Sequence, residues 1–318
     1  MQIIRLAAAF FAAFTLTITA SAKSLVPVGK TVAVKMFSDG VMVVGVEEGV
    51  ASELEKGDVI THINDTEIDT VIQLKEIVNS CEGQELDVRI NRDGHSIKTS
   101  VTPVTTDGSY KLGLWIRDSM AGIGTVTFYD PQTGQFGALG HGVNDVDTGR
   151  LLPLEDGAIM GSTVAAVKKG QSGSPGQLTG SFDDMTDIGK VTANTEYGIF
   201  GELNDKSLWD GETLETAEIS EIENGHAQII SNVRGDKVEC FDVEIVKQND
   251  SRDDRNMVIK VTDERLLDIT GGIVQGMSGS PIIQNGKLVG AVTHVLVGDP
   301  TKGYGVYIEN MMKHGEIV

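Results

Sequence analysis

The sequence predicts a mainly β protein in two parts, a small sheet-and-helix module followed by a pair of β-barrels. Three observations carry that expectation. Runs of Val and Ile recur between clusters of Gly, Asp and Asn, the pattern of short strands joined by turns. The chain holds 38 glycines and only 5% aromatic residues, and past the N-terminus no stretch has the period of a long amphipathic helix. Its 318 residues give a prior of two domains, with 40% hydrophobic content to fill ordinary cores. The net charge of −20 disfavours nucleic acid and anionic lipid as partners, keeps the chain soluble, and says nothing about fold.

Residues 1–22 read as an export signal. Arg5 supplies a thin positive start, Leu6 to Thr19 an apolar stretch, and Ala20-Ser21-Ala22 a cleavage site before Lys23. The competing reading is an uncleaved anchor, but the apolar run falls short of the ~20 residues a spanning helix needs. Either way the remainder is expected outside the cytoplasm. Cys81 and Cys240 are the only cysteines, which excludes a disulfide framework or a cysteine-based metal site; they read as two separate, mostly buried thiols.

Residues 29–103 have the pattern of a peptide-binding module. Gly40 to Val46 is a strand and Val50 to Glu55 a short helical turn. Leu54 to Asn64 fits L-x-x-G-D-x-I-x-x-I-N, which resembles PDZ domains: Gly57-Asp58 turn the chain into a strand whose Val59, Ile60 and Ile63 pack inward. Thr70 to Cys81 follows as a helix with Val71, Leu74 and Val78 on one face, and Leu86–Ile90 and Ile97–Val101 close the sheet around Asp93-Gly94. An extended peptide is expected to add as a strand beside Val32, Ala33 and Val34, against the helix. The glycine-rich carboxylate loop of eukaryotic PDZ domains is not evident.

Residues 106–318 contain the chemistry. Gly276-Met277-Ser278-Gly279-Ser280-Pro281 has the G-x-S-G-x-P form of the nucleophile loop in chymotrypsin-like proteases. Glycines on either side let the backbone turn tightly, expose the Ser278 hydroxyl and aim the amides of Gly276 and Ser278 at one point, an oxyanion hole. Ile273-Val274 before it, and Ile282-Ile283 and Leu288–Val292 around an Asn285-Gly286 turn after it, read as buried strands. Thr293 to Tyr304 is expected to wall the pocket. Gln171-Ser-Gly-Ser-Pro-Gly176 repeats the signature without the leading glycine, and reads as a structural turn.

Of six histidines, His141 is the candidate base. Phe136-Gly-Ala-Leu-Gly-His-Gly-Val143 puts it after a small-residue strand between two glycines, with room for a substrate and a serine. His294, on the strand after the nucleophile, is the rival and reads as a wall residue. For the acid, the residues alone leave Asp145, Asp147, Asp263 and Asp268 open. Asp145-Val-Asp147-Thr-Gly149 has the start of a calcium loop but not its later Glu, so no metal or other cofactor is expected.

The stretches Gly113–Ser119, Gly124–Asp130, Gly137–His141, Ser172–Gly176, Gly271–Pro281 and Thr293–Gly305 together resemble stage IV sporulation protein B, a family of PDZ-containing serine peptidases of endospore-forming bacteria. The resemblance implies His141 as base, Ser278 as nucleophile and Asp263 as orienting acid. It also implies secretion into the space between mother-cell and forespore membranes, self-cleavage, and cutting of a membrane-bound regulator so that a late sigma factor becomes active. The chain's own N-terminal segment is a second expected partner of the module. Met277 stands where trypsin-like zymogens keep an aspartate, so activation by insertion of a new N-terminus is not expected. The alternative reading is a non-catalytic PDZ-barrel scaffold that binds peptides of an envelope complex; the intact serine and histidine argue against it.

Overall fold

The computed structural model describes residues 22–48, 53–205, 207–209, 211–249 and 253–317. All but the last residue of the expected export signal, and the start of the helical turn expected from Val50, lie outside them. The chain is mainly β as expected, but its two parts are interleaved. After β1 (Ser24–Pro27), strand β2 (Thr31–Val46) runs through both. Its first half belongs to a barrel and its second half to the small module, with the change of partners at Ser38-Asp39-Gly40. Gly40 has φ +93°, and a Cβ there would lie 2.6 Å from the Ile60 carbonyl oxygen, so the bend requires glycine.

The module takes Val41–Val46 of β2 and adds β3 (Val59–Ile63), β4 (Thr66–Glu67), helix α1 (Val71–Ser80), β5 (Leu86–Arg92) and β6 (His95–Val101), with a hairpin of β7 (Val104–Thr106) and β8 (Ser109–Lys111) beside the helix. Thr70 caps α1 by accepting from the Gln73 amide, and Leu74 and Val78 are buried against Val43, Ile60, Ile63 and Ile90. Asp58, in the Gly-Asp turn, is held by Arg92 at 2.7 Å.

Strand β9 (Leu114–Tyr129) repeats the behaviour of β2 in reverse. Leu114–Arg117 pair with Val46–Met42 inside the module, and Ser119–Thr125 pair with Phe37–Thr31 inside the barrel. With β10 (Gln135–Ala138), β11 (Leu154–Lys168), β12 (Gln177–Thr195) and β13 (Gly198–Leu203), the pairings β2-β9-β10-β13-β12-β11-β2 close a six-stranded ring. The small module is therefore an excursion from the first barrel, and β2 is barrel wall before it is module.

This overturns the expectation for Val32, Ala33 and Val34. They are hydrogen-bonded to Gly124, Ile123 and Gly122 of β9 on one side and to Gly161, Met160 and Ile159 of β11 on the other, so neither edge is open to an added peptide.

After β14 (Leu214–Glu215), a short strand paired to β1, the second barrel forms from β15 (Gly225–Arg234), β16 (Lys237–Gln248), β17 (Met257–Val261), β18 (Pro281–Gln284), β19 (Lys287–Val295) and β20 (Lys302–Tyr307), closed in the order β15-β16-β17-β20-β19-β18. Helix α2 (Glu264–Thr270) precedes the nucleophile turn and α3 (Ile308–His314) ends the fold. The two-residue turn at Asn285-Gly286 has φ of 51° and 77°, the geometry that matches strand twist in a hairpin. Phe128, Phe200, Leu288, Val306 and Met311 pack together where the barrels meet. Along β16 the alternation that buries Phe241, Val243 and Ile245 turns Cys240 outward; Cys81 is half-buried, so the expectation of two buried thiols fails at Cys240.

Candidate active site

The first barrel delivers His141 by a forced turn. Beyond Ala138, Leu139 and Gly140 both take positive φ, 69° and 70°, and His141 emerges into a cleft between the barrels. A Cβ on Gly142 would come within 2.3 Å of Leu151, so the residue after the histidine must also be glycine. The His141 Nδ1 lies 2.9 Å from the Gly142 carbonyl oxygen. A carbonyl only accepts, so Nδ1 carries the proton and Nε2 is left as the acceptor.

The second barrel delivers Ser278. Gly276 has φ +99° and Gly279 φ +97°, and a Cβ on Gly279 would stand 1.9 Å from the Thr125 carbonyl oxygen. That close approach is what locks the turn. Thr125, fully buried on β9, donates its amide to the Ser278 carbonyl at 2.9 Å and its hydroxyl to the Gly276 carbonyl at 2.8 Å, while its own carbonyl accepts from the Leu139 amide at 3.1 Å. One residue of the first barrel thus registers the histidine loop against the serine loop. Among the described residues the amides of Gly276 and Ser278 donate to no protein acceptor, which leaves both for an oxyanion.

Ser278 Oγ donates to the Thr293 carbonyl at 2.6 Å, a resting arrangement in which the hydroxyl is not yet turned to a base. The rings of His141 and His294 stack with centroids 4.7 Å apart, and His294 Nε2 is 2.7 Å from Asp254 Oδ2. His294 is therefore more than the wall residue expected of it: it carries a carboxylate to the face of His141. Desolvation in the cleft pushes the His141 imidazole below its ordinary value, and His294 pushes the same way; the Gly142 carbonyl and the Asp254 charge oppose them without prevailing. The result is a histidine neutral at physiological pH, ready to take a proton.

Asp263 is not brought to His141. Its carboxylate caps α2, accepting from the Arg265 amide at 2.9 Å, pairs with the Arg265 guanidinium at 2.7 Å and accepts from the Asp242 amide at 3.3 Å. The Arg265 bond holds its carboxyl below the usual range against the opposing effect of burial. The residue that the resemblance implied as the orienting acid is a helix cap in this fold. Asp268 is exposed on α2, and Asp145 is fully buried but engaged by Arg117 and by the amides of Asp147 and Thr148. Asp254 was missed because it lies in a polar run where each aspartate reads as solvated.

The expected pocket walls are partly in place, with Thr293, His294, Val295 and Val297 lining the cleft; Val34 and Met36 face them from the first barrel. Ser172 does not enter it: its hydroxyl donates to the Gly298 carbonyl at 2.8 Å, and the same turn takes the Gln275 amide on the Gly176 carbonyl. A second groove lies on the small module, between Val71, Leu74 and Val78 of α1 and Leu112, Leu114 and Ile116. Among the described residues Leu114–Arg117 pair with β2 alone, so their other edge faces the helix unpaired. Leu112-Gly113-Leu114, with Gly113 at φ +64°, leads the chain into this edge after the rest of the module has been laid down.

Residues 108–312 match the profile of the SpoIVB peptidase S55 family, and residues 31–102 match that of the PDZ domain. No curated protein matches the chain. Among solved structures, the active form of the Rv3671c protease from M. tuberculosis is 12% identical, with 62% of this chain and 73% of that one covered and a TM-score of 0.33. Its inactive form is 13% identical over 60% and 83%, also at 0.33. The PDZ domain of the SdrC-like protein from Listeria monocytogenes is 22% identical over 24% of this chain and 87% of its own, at 0.23.

Proposed function

The chain belongs to the SpoIVB peptidase S55 family and is a PDZ-containing serine peptidase, and from that premise we propose that it is an extracytoplasmic endopeptidase whose nucleophile is Ser278 and whose base is His141. The observation that carries this reading is Thr125, one buried residue whose hydroxyl and amide bond the serine loop and whose carbonyl bonds the histidine loop, so that serine and histidine share a cleft.

In this mechanism the Ser278 hydroxyl turns from the Thr293 carbonyl to His141 Nε2. The oxygen forms a bond to the scissile carbonyl carbon as its proton passes to the imidazole, and the oxyanion is received by the amides of Gly276 and Ser278. Collapse breaks the C–N bond, and His141 returns the proton to the leaving amine. Water then repeats the sequence on the acyl-enzyme and frees the serine. The role assigned by resemblance to Asp263 falls to Asp254, which acts through His294 stacked on the ring that becomes an imidazolium; the Gly142 carbonyl fixes the tautomer.

The module supplies recognition. An extended peptide adds as a strand to the open edge of Leu114–Ile116 beside α1, with apolar side chains between Val71, Leu74 and Val78. Lys75 and Lys111 border the same groove, which in so acidic a chain favours a peptide ending in an apolar residue with a free carboxylate. The proposal includes secretion into the space between the two sporulation membranes, self-cleavage, and cutting of a membrane-bound regulator, supported by the family match alone, with the chain's own N-terminal segment as a further ligand for the groove.

Labelling with a fluorophosphonate probe and mapping the adduct by mass spectrometry tests the assignment. The adduct belongs on Ser278, and both Ser278→Ala and His141→Gln abolish it. An adduct elsewhere, or full labelling of His141→Gln with none of His294→Gln, would move the nucleophile or the base.

A further inference from the structure

Strand β9 carries the open edge of the peptide groove at Leu114–Ile116, and its next two residues each hold something that matters. The Arg117 guanidinium bonds Asp145, and reaches Asp147 at 2.9 Å. Both lie in the loop that begins at His141. Asp118 accepts the Val71 amide at 2.8 Å, the first residue of α1 and thus of the other wall of the groove.

The loop is built around Asp145. Its side chain is fully buried and accepts from the amides of Asp147 at 3.0 Å and Thr148 at 2.8 Å, its own amide donates to the Arg150 carbonyl at 2.9 Å, and its carbonyl accepts from the Gly149 amide. Arg150, at the far end, reaches back to the module through the Gly57 carbonyl at 3.0 Å and Asp93 at 3.1 Å. The pairing of β2 with β9 slips between Phe37 and Met42, opposite Ser119 and Arg117, so the ladder is interrupted where the module joins the barrel. A shift of the groove strand is therefore felt first at Arg117.

We propose that Arg117 is a positioning residue for His141 and that, through its grip on Asp145, occupancy of the groove between α1 and β9 is read at the catalytic histidine. The proposal rests on the peptide-binding reading of the module. A buried carboxylate cannot give up its cation without loss, because the uncompensated charge is costly, so movement of Arg117 drags Asp145 and its loop. Peptide bound at the groove and reactivity at Ser278 are then two readouts of one equilibrium.

The test uses the full mature chain and the peptide Gly-Gly-Ser-Val-Tyr-Phe-Val with a free carboxylate. Trp115 is 66% exposed beside the groove, so its fluorescence follows binding, and the fluorophosphonate labelling rate follows the site. In the unaltered protein, saturating peptide changes the labelling rate about fivefold or more. In Arg117→Met the binding curve is kept, the response disappears, and the turnover of a small ester falls with KM unchanged; Arg117→Lys recovers turnover. Should Arg117→Met not fold, Asp147→Asn, on the solvent side of the loop, weakens the response in a folded protein. A labelling rate indifferent to bound peptide, or an Arg117→Met protein that responds like the parent, overturns the coupling. Absence of any Trp115 response to the peptide, with labelling intact, overturns the groove reading itself and the coupling with it.

Discussion

Two turns in this molecule spell Ser-Gly-Ser-Pro, Ser172–Pro175 and Ser278–Pro281, and their surroundings give them opposite duties. In the first, serine and glycine are exposed, the Ser172 hydroxyl is tied to the Gly298 carbonyl, and the following Gly176 carbonyl accepts from Gln275. In the second, Gly276 and Gly279 are buried against the first barrel and Ser278 opens on the cleft that holds His141. The first turn braces the irregular segment that leads from α2 into the second. A tetrapeptide fixes a bend; what the bend faces decides whether there is chemistry.

The largest effect that sharpens this contrast is at the serines. Ser278→Ala should lower turnover by about five to six orders of magnitude, as removal of a serine nucleophile does elsewhere. Ser172→Ala should stay within about tenfold of the parent, since it loses one exposed hydrogen bond. Steady-state hydrolysis of a small ester separates them, and equal losses would erase the distinction between the turns.

The base proposed behind the second turn gives the next effect. Asp254→Asn should reduce kcat by about a hundredfold, less than the ~10⁴ lost when a carboxylate bonded directly to the base becomes an amide. Its charge raises the affinity of His141 for a proton, so its loss should also move the acid limb of the pH–rate profile to lower pH. Asp263→Asn should retain activity, and Asp263→Ala should cost about 1–2 kcal/mol of stability through the lost helix cap. A crippled Asp263→Asn enzyme with an unchanged Asp254→Asn profile would restore Asp263 as the acid.

The glycines provide the smallest test and a purely structural one. Gly279→Ala, whose Cβ would sit 1.9 Å from a backbone oxygen, should destabilise by at least about 3 kcal/mol. Gly173→Ala, with φ +79° and no atom within 4 Å, should cost about 1 kcal/mol of backbone strain alone. Urea unfolding followed by tryptophan fluorescence measures both.

The features legible in the sequence were those whose cause is local. Ser278 and His141 are flanked by glycines because their own backbones demand them, and the turns at Asp93-Gly94 and Asn285-Gly286 announce themselves for the same reason. What escaped depends on distant partners. Gly40 to Val46 reads as a strand of the module, yet it is only the second half of one that starts at Thr31 and bends at Ser38-Asp39-Gly40, because β9 continues beside it. Val32–Val34 have the apolar pattern of a groove edge and of a barrel wall alike, and only β11, more than a hundred residues on, decides between them. Asp254 gains its meaning from His294, on a strand not adjacent in sequence.

The passage of β2 and β9 through both parts bears on how the chain is made. Thr31–Phe37 emerge early, but the strand that flanks them on one side, β11, is synthesised only after the whole small module. Their partners on the other side, Ser119–Thr125, are brought next to them when the module closes its sheet by pairing Leu114–Arg117 with Met42–Val46. A module that folds first would hand the barrel two strands already aligned, shortening the loop that must be closed before non-local pairing can begin. On that view the PDZ module is a folding jig for the peptidase barrel, and excising residues 29–103 would remove the barrel's first strand along with the jig.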